Sequence, residues 1–352
     1  MAPTASNPRR LARISIDYQA IAENWRWFVR RTQPAECAAV VKADAYGLGA
    51  EEAARALYAA GARTFFTATL GEAERVRPHI GEAVLYVFNG PQAEDVADFA
   101  ACDVRPVLNS MAQIVLWQAR APAALHIDTG MNRLGLPLTD LAEAAAFAPA
   151  ITLVMSHLAC ASTREHEMNA RQRVRFTEAA AMFPKARRSL AATSGALLGH
   201  EYAFDMIRPG IGLYGSGAMD EGNPTLAPAA RIEAPIVQIR DVAAGESFGY
   251  GATQRAQAPM RAAIVALGYA DGFLRGAAGR GYGVLGGVQV PLLGRVSMDL
   301  LILDASAAPE AAVGDYVEFL GHAARLDDVA AAFGTAPYEV LTTFAGAVRR
   351  GS

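Results

Sequence analysis

The stretch "AVVKADAYGLG", residues 39–49, closes an apolar run on Lys42 and follows it with Tyr46, Gly47 and Gly49. Residues 37–41 are short, continuous and partly β-branched, the pattern of a strand buried on both faces. Residues 51–60 are rich in Ala, Glu and Leu and read as a helix. Lys42 therefore stands where a strand ends and a βα loop begins. A lysine there can simply mark where the strand reaches water, because lysine is almost never fully buried unless paired. It can also be a nucleophile, if its amine is desolvated. The choice depends on what else reaches the same edge.

Four further apolar runs end in groups that could do chemistry. "AALHIDTGMNRLG" leads to Arg133, "SHLAC" to His157, "ATSGA" to Ser194, and "IRPGIGLYG" to Arg208, Gly210 and Ile211. Singly, His157 reads as a hydrogen-bonded core histidine, Arg208 as an ion-pair partner and Ser194 as a helix cap. Together, at the C-terminal ends of successive strands, they make a site. The amides after Ser194 and at Gly210 and Ile211 can cradle an anion, and barrels commonly place phosphate after strands seven and eight. A reactive lysine beside a phosphate cradle points to pyridoxal 5'-phosphate, held covalently.

Those edges require a particular frame. Strand patterns fall at residues 37–41, 64–68, 83–88, 104–108, 124–127, 151–156, 188–192 and 205–207, with helical patterns such as 93–100, 110–118, 138–147 and 167–183 between them. This predicts a (β/α)8 TIM-like barrel over residues 14–222. A doubly wound open sheet would carry a glycine-rich dinucleotide fingerprint in its first βα turn, and "KADAYGLG" lacks that spacing. After the Gly- and Pro-rich connection "GSGAMDEGNPTLAP", short β-type runs at 234–239, 262–267, 288–293, 300–303 and 316–320 predict a C-terminal mostly-β domain over 226–352. Helical stretches at 326–333 and 338–349 close the chain.

The bulk numbers agree with two folded domains. The chain has 352 residues, 52% hydrophobic and 19% charged, enough to bury large cores. A formal charge of −3, with basic residues no more than paired, gives no footprint for nucleic acid. Cys37, Cys102 and Cys160 show neither a disulfide framework nor metal-ligand spacing, so no metal is expected and a reducing, cytoplasmic setting is. No apolar run has the length or continuity of a membrane span, and no signal-peptide core follows the basic start.

"VVKADAYGLG", "DTGMNRLG", "SHLAC", "RPGIGLYG", "GYGAT", "GYADG" and "GRVSMD" together resemble the alanine racemase family in order and spacing, from "ISIDYQAIAENW" onward. The resemblance implies a pyridoxal phosphate barrel followed by a β domain, in a head-to-tail homodimer that interconverts L- and D-alanine and supplies D-alanine for peptidoglycan. It implies that Lys42 is the Schiff-base lysine and one of two catalytic bases, with Tyr250 the other. Tyr46, Ser194 and the amides of Gly210 and Ile211 would hold the phosphate, the nearby glycines letting the turn pass close to the cofactor. His157 would pack on the pyridine ring, Arg208 would donate to its nitrogen, and Arg133 would bond the phenolic oxygen. Tyr269 and Met298 would line the substrate pocket, the Met298 amide helping to bind the carboxylate. Many relatives place a lysine, often carbamylated, at the position of His126; here Arg133 must be oriented otherwise, by a chloride or a water. Some relatives have a tyrosine in the last helix that reaches the phosphate, and "VLTTFAGAV" has none. Rival readings are a racemase of serine or a basic amino acid and a non-enzymatic pyridoxal phosphate barrel protein. A decarboxylase with a related barrel would use a C-terminal cysteine motif, and no cysteine follows Cys160.

Overall fold

The structure is a computed structural model, and it describes residues 12–118, 122–147 and 150–347. Residues 348 and 349 of the expected last helix lie outside the described residues. The chain divides into two compact units, one of residues 18–45 and 49–226, the other of residues 12–17, 46–48 and 227 onward.

The first unit is built on parallel strands. Ala39–Val40, Thr64–Thr67, Val84–Val87, Arg105–Leu108, Ala123–His126, Ile151–Met155 and Arg187–Ser189 form one sheet in chain order. Most of their residues are buried, as continuous apolar runs require when helices cover one face and side chains fill the other. Met206–Ile207 closes the ring. It pairs in parallel with Glu36–Cys37, and Arg208 N donates to Ala191 O at 2.9 Å. The first strand is broken at Ala38, so its two halves serve the two neighbours separately. All eight expected strand positions are occupied, within a few residues of the predicted bounds.

The second unit is antiparallel. Its sheet runs in the order Val288–Pro291, Tyr282–Leu285, Tyr316–Leu320, Ala230–Val242, Met260–Val265 and Leu301–Asp304. Leu293 N donates to Ile302 O at 2.7 Å, linking its two edges. Strand Arg13–Ile16 pairs antiparallel with Ala230–Glu233 of this sheet. Ser247–Phe248 and Gln254–Arg255 form a separate two-stranded ribbon.

Candidate active site

Lys42 follows the first strand and begins a turn of unusual hand. Ala43, Asp44 and Ala45 have φ of 51°, 55° and 53° with ψ near 45–48°, a left-handed turn built of residues with Cβ atoms. The Lys42 side chain is half-buried, its Nζ 5.7 Å from the Phe88 ring centre. Burial holds the amine below the ordinary lysine range, Arg133 adds to the effect, and Glu72 opposes it.

Arg133 is presented by the loop after the fifth strand. The Asp128 carboxylate folds that loop by accepting the amides of Gly130 at 2.8 Å, Met131 at 2.8 Å and Asn132 at 2.9 Å. His126, the last residue of the strand, is 7% exposed. Asn109 uses its Nδ2 hydrogens on Phe88 O at 2.9 Å and Val107 O at 2.8 Å, so its Oδ1 is an acceptor. His126 Nδ1, 3.0 Å away, is therefore the donor. Burial first and then the charge of Arg208 bring His126 down to about 3; Asp128 pulls the other way, and Arg133 adds the smallest push downward. His157 is also pushed well below the ordinary histidine range, by burial and by Arg208, Arg133, His126 and Lys42. At neutral pH the His126 imidazole is therefore uncharged.

Arg208 is 2% exposed. Its Nη1 donates to Ser189 O at 2.8 Å and to the Ser189 hydroxyl, and its Nη2 donates to Ser156 O at 2.6 Å. Carbonyls hold it, and among the described residues no carboxylate pairs with it. Burial brings the guanidinium down to about 9, which leaves it charged at neutral pH. Lys42, Arg133 and Arg208 bring three positive groups to this edge, with Glu72 and Asp128 opposing them, a balance that favours an anionic ligand.

The expected phosphate cradle is partly occupied by the protein itself. Thr193 Oγ1 accepts the amides of Gly210 and Gly212, each at 3.1 Å. Ser194 Oγ donates to Ala218 O at 3.0 Å. Among the described residues no acceptor takes the amide of Ile211. Thr193 is the neighbour of the expected Ser194 in "ATSGA", and Asn109 follows the fourth strand just as Lys42 follows the first; position at a strand end is the one sequence signal that marks either.

The remaining predicted residues lie in the β-rich unit. Tyr46 is buried, and burial with the neighbouring Tyr338 raises its hydroxyl above the ordinary range. The two rings lie 6.0 Å apart. Tyr338 stands in Pro337–Glu339, just before the run "VLTTFAGAV", which contains no tyrosine. Gly47 lies against that segment too. A Cβ there would fall 2.9 Å from Gly346 Cα and 3.1 Å from Leu341 O, so close backbone packing requires the glycine. Tyr250 is 71% exposed on a short turn between Gly249 and Gly251, whose φ values are 59° and 76°. Arg295 packs on that turn, with Nη1 3.0 Å from where a Gly251 Cβ would be. Beyond Arg295, Met298 is 53% exposed, and its carbonyl accepts Ala270 N at 3.0 Å. A Cβ on Gly268 would fall 2.1 Å from that carbonyl, which is why "GYADG" begins with glycine. Tyr269, half-exposed, donates its amide to Ser297 O at 3.1 Å. Tyr250, Tyr269 and Met298 are thus carried on neighbouring loops of one unit, and Lys42, His126, Arg133, His157 and Arg208 share one strand edge of the other.

Comparison with known proteins covers both units. Residues 16–217 match the family described as alanine racemase, N-terminal domain, and residues 229–351 match alanine racemase, C-terminal domain. The alanine racemase of Methylobacterium nodulans is 45% identical over 346 residues, spanning 94% of this chain and 93% of its own. The biosynthetic alanine racemase of Agrobacterium fabrum is 42% identical, spanning 94% of this chain and 90% of its own. Among solved structures, alanine racemase from Bartonella henselae with covalently bound pyridoxal phosphate superposes with a TM-score of 0.89 at 34% identity, covering 95% of this chain and 97% of that one. Biosynthetic alanine racemase from Pseudomonas aeruginosa gives 0.88 at 36% identity, with the same coverage. With both domain matches in sequence order and a shared fold along nearly its whole length, the chain belongs to the alanine racemase family.

Proposed function

We propose that this chain interconverts L- and D-alanine with pyridoxal phosphate carried on Lys42, in the cytoplasm, and that its D-alanine serves peptidoglycan synthesis. The observation that carries the reading is the desolvated Lys42 amine at one strand edge with Arg208, a buried guanidinium with no carboxylate partner among the described residues. That donor set suits a cofactor with an anionic phosphate, a phenolic oxygen and a ring nitrogen. When bound, pyridoxal phosphate draws electrons from the substrate Cα and makes its proton removable. Among the described residues no group of ligands suits a metal ion, and no helix is long and apolar enough to cross a membrane. The three free cysteines suit a reducing compartment.

The chain's own groups divide the remaining work. Arg208 would donate to the ring nitrogen and, since arginine does not give up its proton, keep that nitrogen unprotonated. Arg133 would bond the phenolic oxygen, and His157 would pack on the ring. Ser194, Tyr46 and the amide of Ile211 would hold the phosphate, and Gly210 could join them only by leaving Thr193. Inverting a carbon needs a proton taken from one face and returned on the other, so two bases are required. Lys42 would serve one face and Tyr250 the other. Tyr250 needs positive charge nearby to act as a base, and Arg295 packs on its turn. Tyr250, Tyr269 and Met298 are exposed on one unit, which fits a head-to-tail homodimer in which each chain lends these residues to its partner's barrel mouth. The Met298 amide, which has no acceptor among the described residues, would then bind the substrate carboxylate.

Reduction of the cofactor-loaded protein with borohydride should leave a pyridoxyl group on the peptide containing Lys42 and on no other lysine. A panel of L-amino acids followed by chiral analysis should give D-alanine as the main product. Label on another lysine, or preferred turnover of serine or a basic amino acid, would overturn the assignment.

A further inference from the structure

Helix Leu70–Val76 starts with the spacing of a capping box. Thr69 caps it, its Oγ1 accepting Glu72 N at 3.3 Å. In a capping box the glutamate three residues on reaches back to the amide of the capping residue. Glu72 does something else. Its Oε2 accepts Ala68 N at 2.8 Å and its Oε1 accepts Ala43 N at 2.9 Å. One carboxylate therefore joins the loops after the first and second strands, and it does so at the residue directly after Lys42.

What it holds is costly backbone. Left-handed conformation at Ala43, Asp44 and Ala45 is disfavoured for residues with Cβ atoms, and such geometry persists only where the surroundings over-determine it. The turn is also tied by Ala45 N to Val41 O and Gly49 N to Asp44 O, each at 2.9 Å, and Asp44 Oδ1 accepts Ala50 N at 2.9 Å. We propose that Glu72 is the positioning residue of Lys42, its carboxylate clamping the left-handed turn so that the amine is aimed into the pocket. This inference rests on the reading of Lys42 as the cofactor-bearing base. Glu72 also sets the local field. Arg133 from the loop after the fifth strand, His157 after the sixth, the Phe88 ring and Glu72 surround the amine, and of these Glu72 alone brings negative charge. Asp44, next along the turn, faces Arg75 at 4.0 Å.

The test compares Glu72→Gln with Thr69→Ala in the holoenzyme. Glutamine can accept from one of the two amides and must turn a donor toward the other. In E72Q, amide exchange at Ala43 or Ala68 should accelerate by about tenfold, the loss of one charge-assisted hydrogen bond. The acid limb of the kcat profile should move to lower pH, because removing a negative neighbour lowers the pKa of the amine. T69A removes the helix cap alone and should move neither. Exchange and acid limb unchanged in E72Q, or both changes reproduced by T69A, would overturn the proposal. If E72Q does not accumulate folded, Glu72→Asp keeps the charge and loses reach. Fast exchange at Ala43 with an unmoved acid limb is then expected, and exchange as slow as wild type overturns the proposal. Borohydride mapping of the wild type separates the two questions. Label away from Lys42 removes the underlying reading, whereas label on Lys42 with a wild-type E72Q removes this inference alone.

Discussion

His126 has one nitrogen committed to Asn109 Oδ1 and two arginines, Arg208 and Arg133, among its charged surroundings. This answers in part what stands in place of a carbamylated lysine: a neutral imidazole, its tautomer set by an asparagine. It also has a consequence for stability. The folded value of about 3 lies below the ordinary 6.5, so between those pH values the unfolded chain binds a proton that the folded chain refuses. Stability contributed here is intact above pH 6.5 and falls as pH drops toward 3. The slope is about 1.4 kcal/mol per pH unit for one histidine, or about 2 kcal/mol between neutral pH and pH 5. His157 is depressed in the same direction and adds to the loss. His126→Gln should therefore reduce the difference in urea-unfolding free energy between pH 7 and pH 5 by about 2 kcal/mol. An undiminished difference would mean that His126 takes a proton in the folded state.

At the scale of elements, the segment after the first strand shows how glycine placement follows packing. Gly47 has φ of +90°, and an added Cβ would meet the backbone of Gly346. Nothing on the helical segment can yield at 2.9 Å without moving main chain. Gly71, near the start of helix Leu70–Val76, has nothing within 4 Å of the corresponding point. The two Gly→Ala substitutions should have opposite signs. Gly47→Ala should destabilise by about 1–3 kcal/mol, and Gly71→Ala should stabilise by about 0.5–1 kcal/mol. Equilibrium denaturation of each variant measures this. Equal effects would show that the close approach of residues 47 and 346 is not what constrains Gly47.

At the scale of the molecule, the proposed assembly makes a quantitative prediction. If each site draws Lys42 from one chain and Tyr250 from its partner, Lys42→Ala and Tyr250→Ala are each nearly inactive alone. Mixed after reversible dissociation, they form hybrids with one intact site and one doubly defective site. Random pairing makes about half the dimers hybrid, so about a quarter of wild-type activity should return. Demonstrated subunit exchange without recovery would place both bases in the same chain.

The barrel strands and the order of the site motifs were legible along the chain because both are local. A buried parallel strand is a short apolar run, and a functional group at its C-terminal end is simply the next polar residue, as with Lys42, His157 and Arg208. The strand at Tyr282–Leu285 was not recognised, because glycines interrupt its alternation and follow it at Gly286 and Gly287. Partnership is not local, and there the tertiary structure decided. Arg13–Ile16 shows no strand signal strong enough to be read from the chain, and its ladder partner lies far off, beginning at Ala230. Thr69 and Glu72 carry the spacing of a capping box, and only the fold shows that the carboxylate turns instead to Ala43. Tyr338 became a neighbour of Tyr46, and Asn109 of His126, through contacts between distant segments. Spacing along a chain reports which face a residue occupies. Which polar group meets it there depends on how the elements pack, because a buried donor or acceptor must find its partner in space.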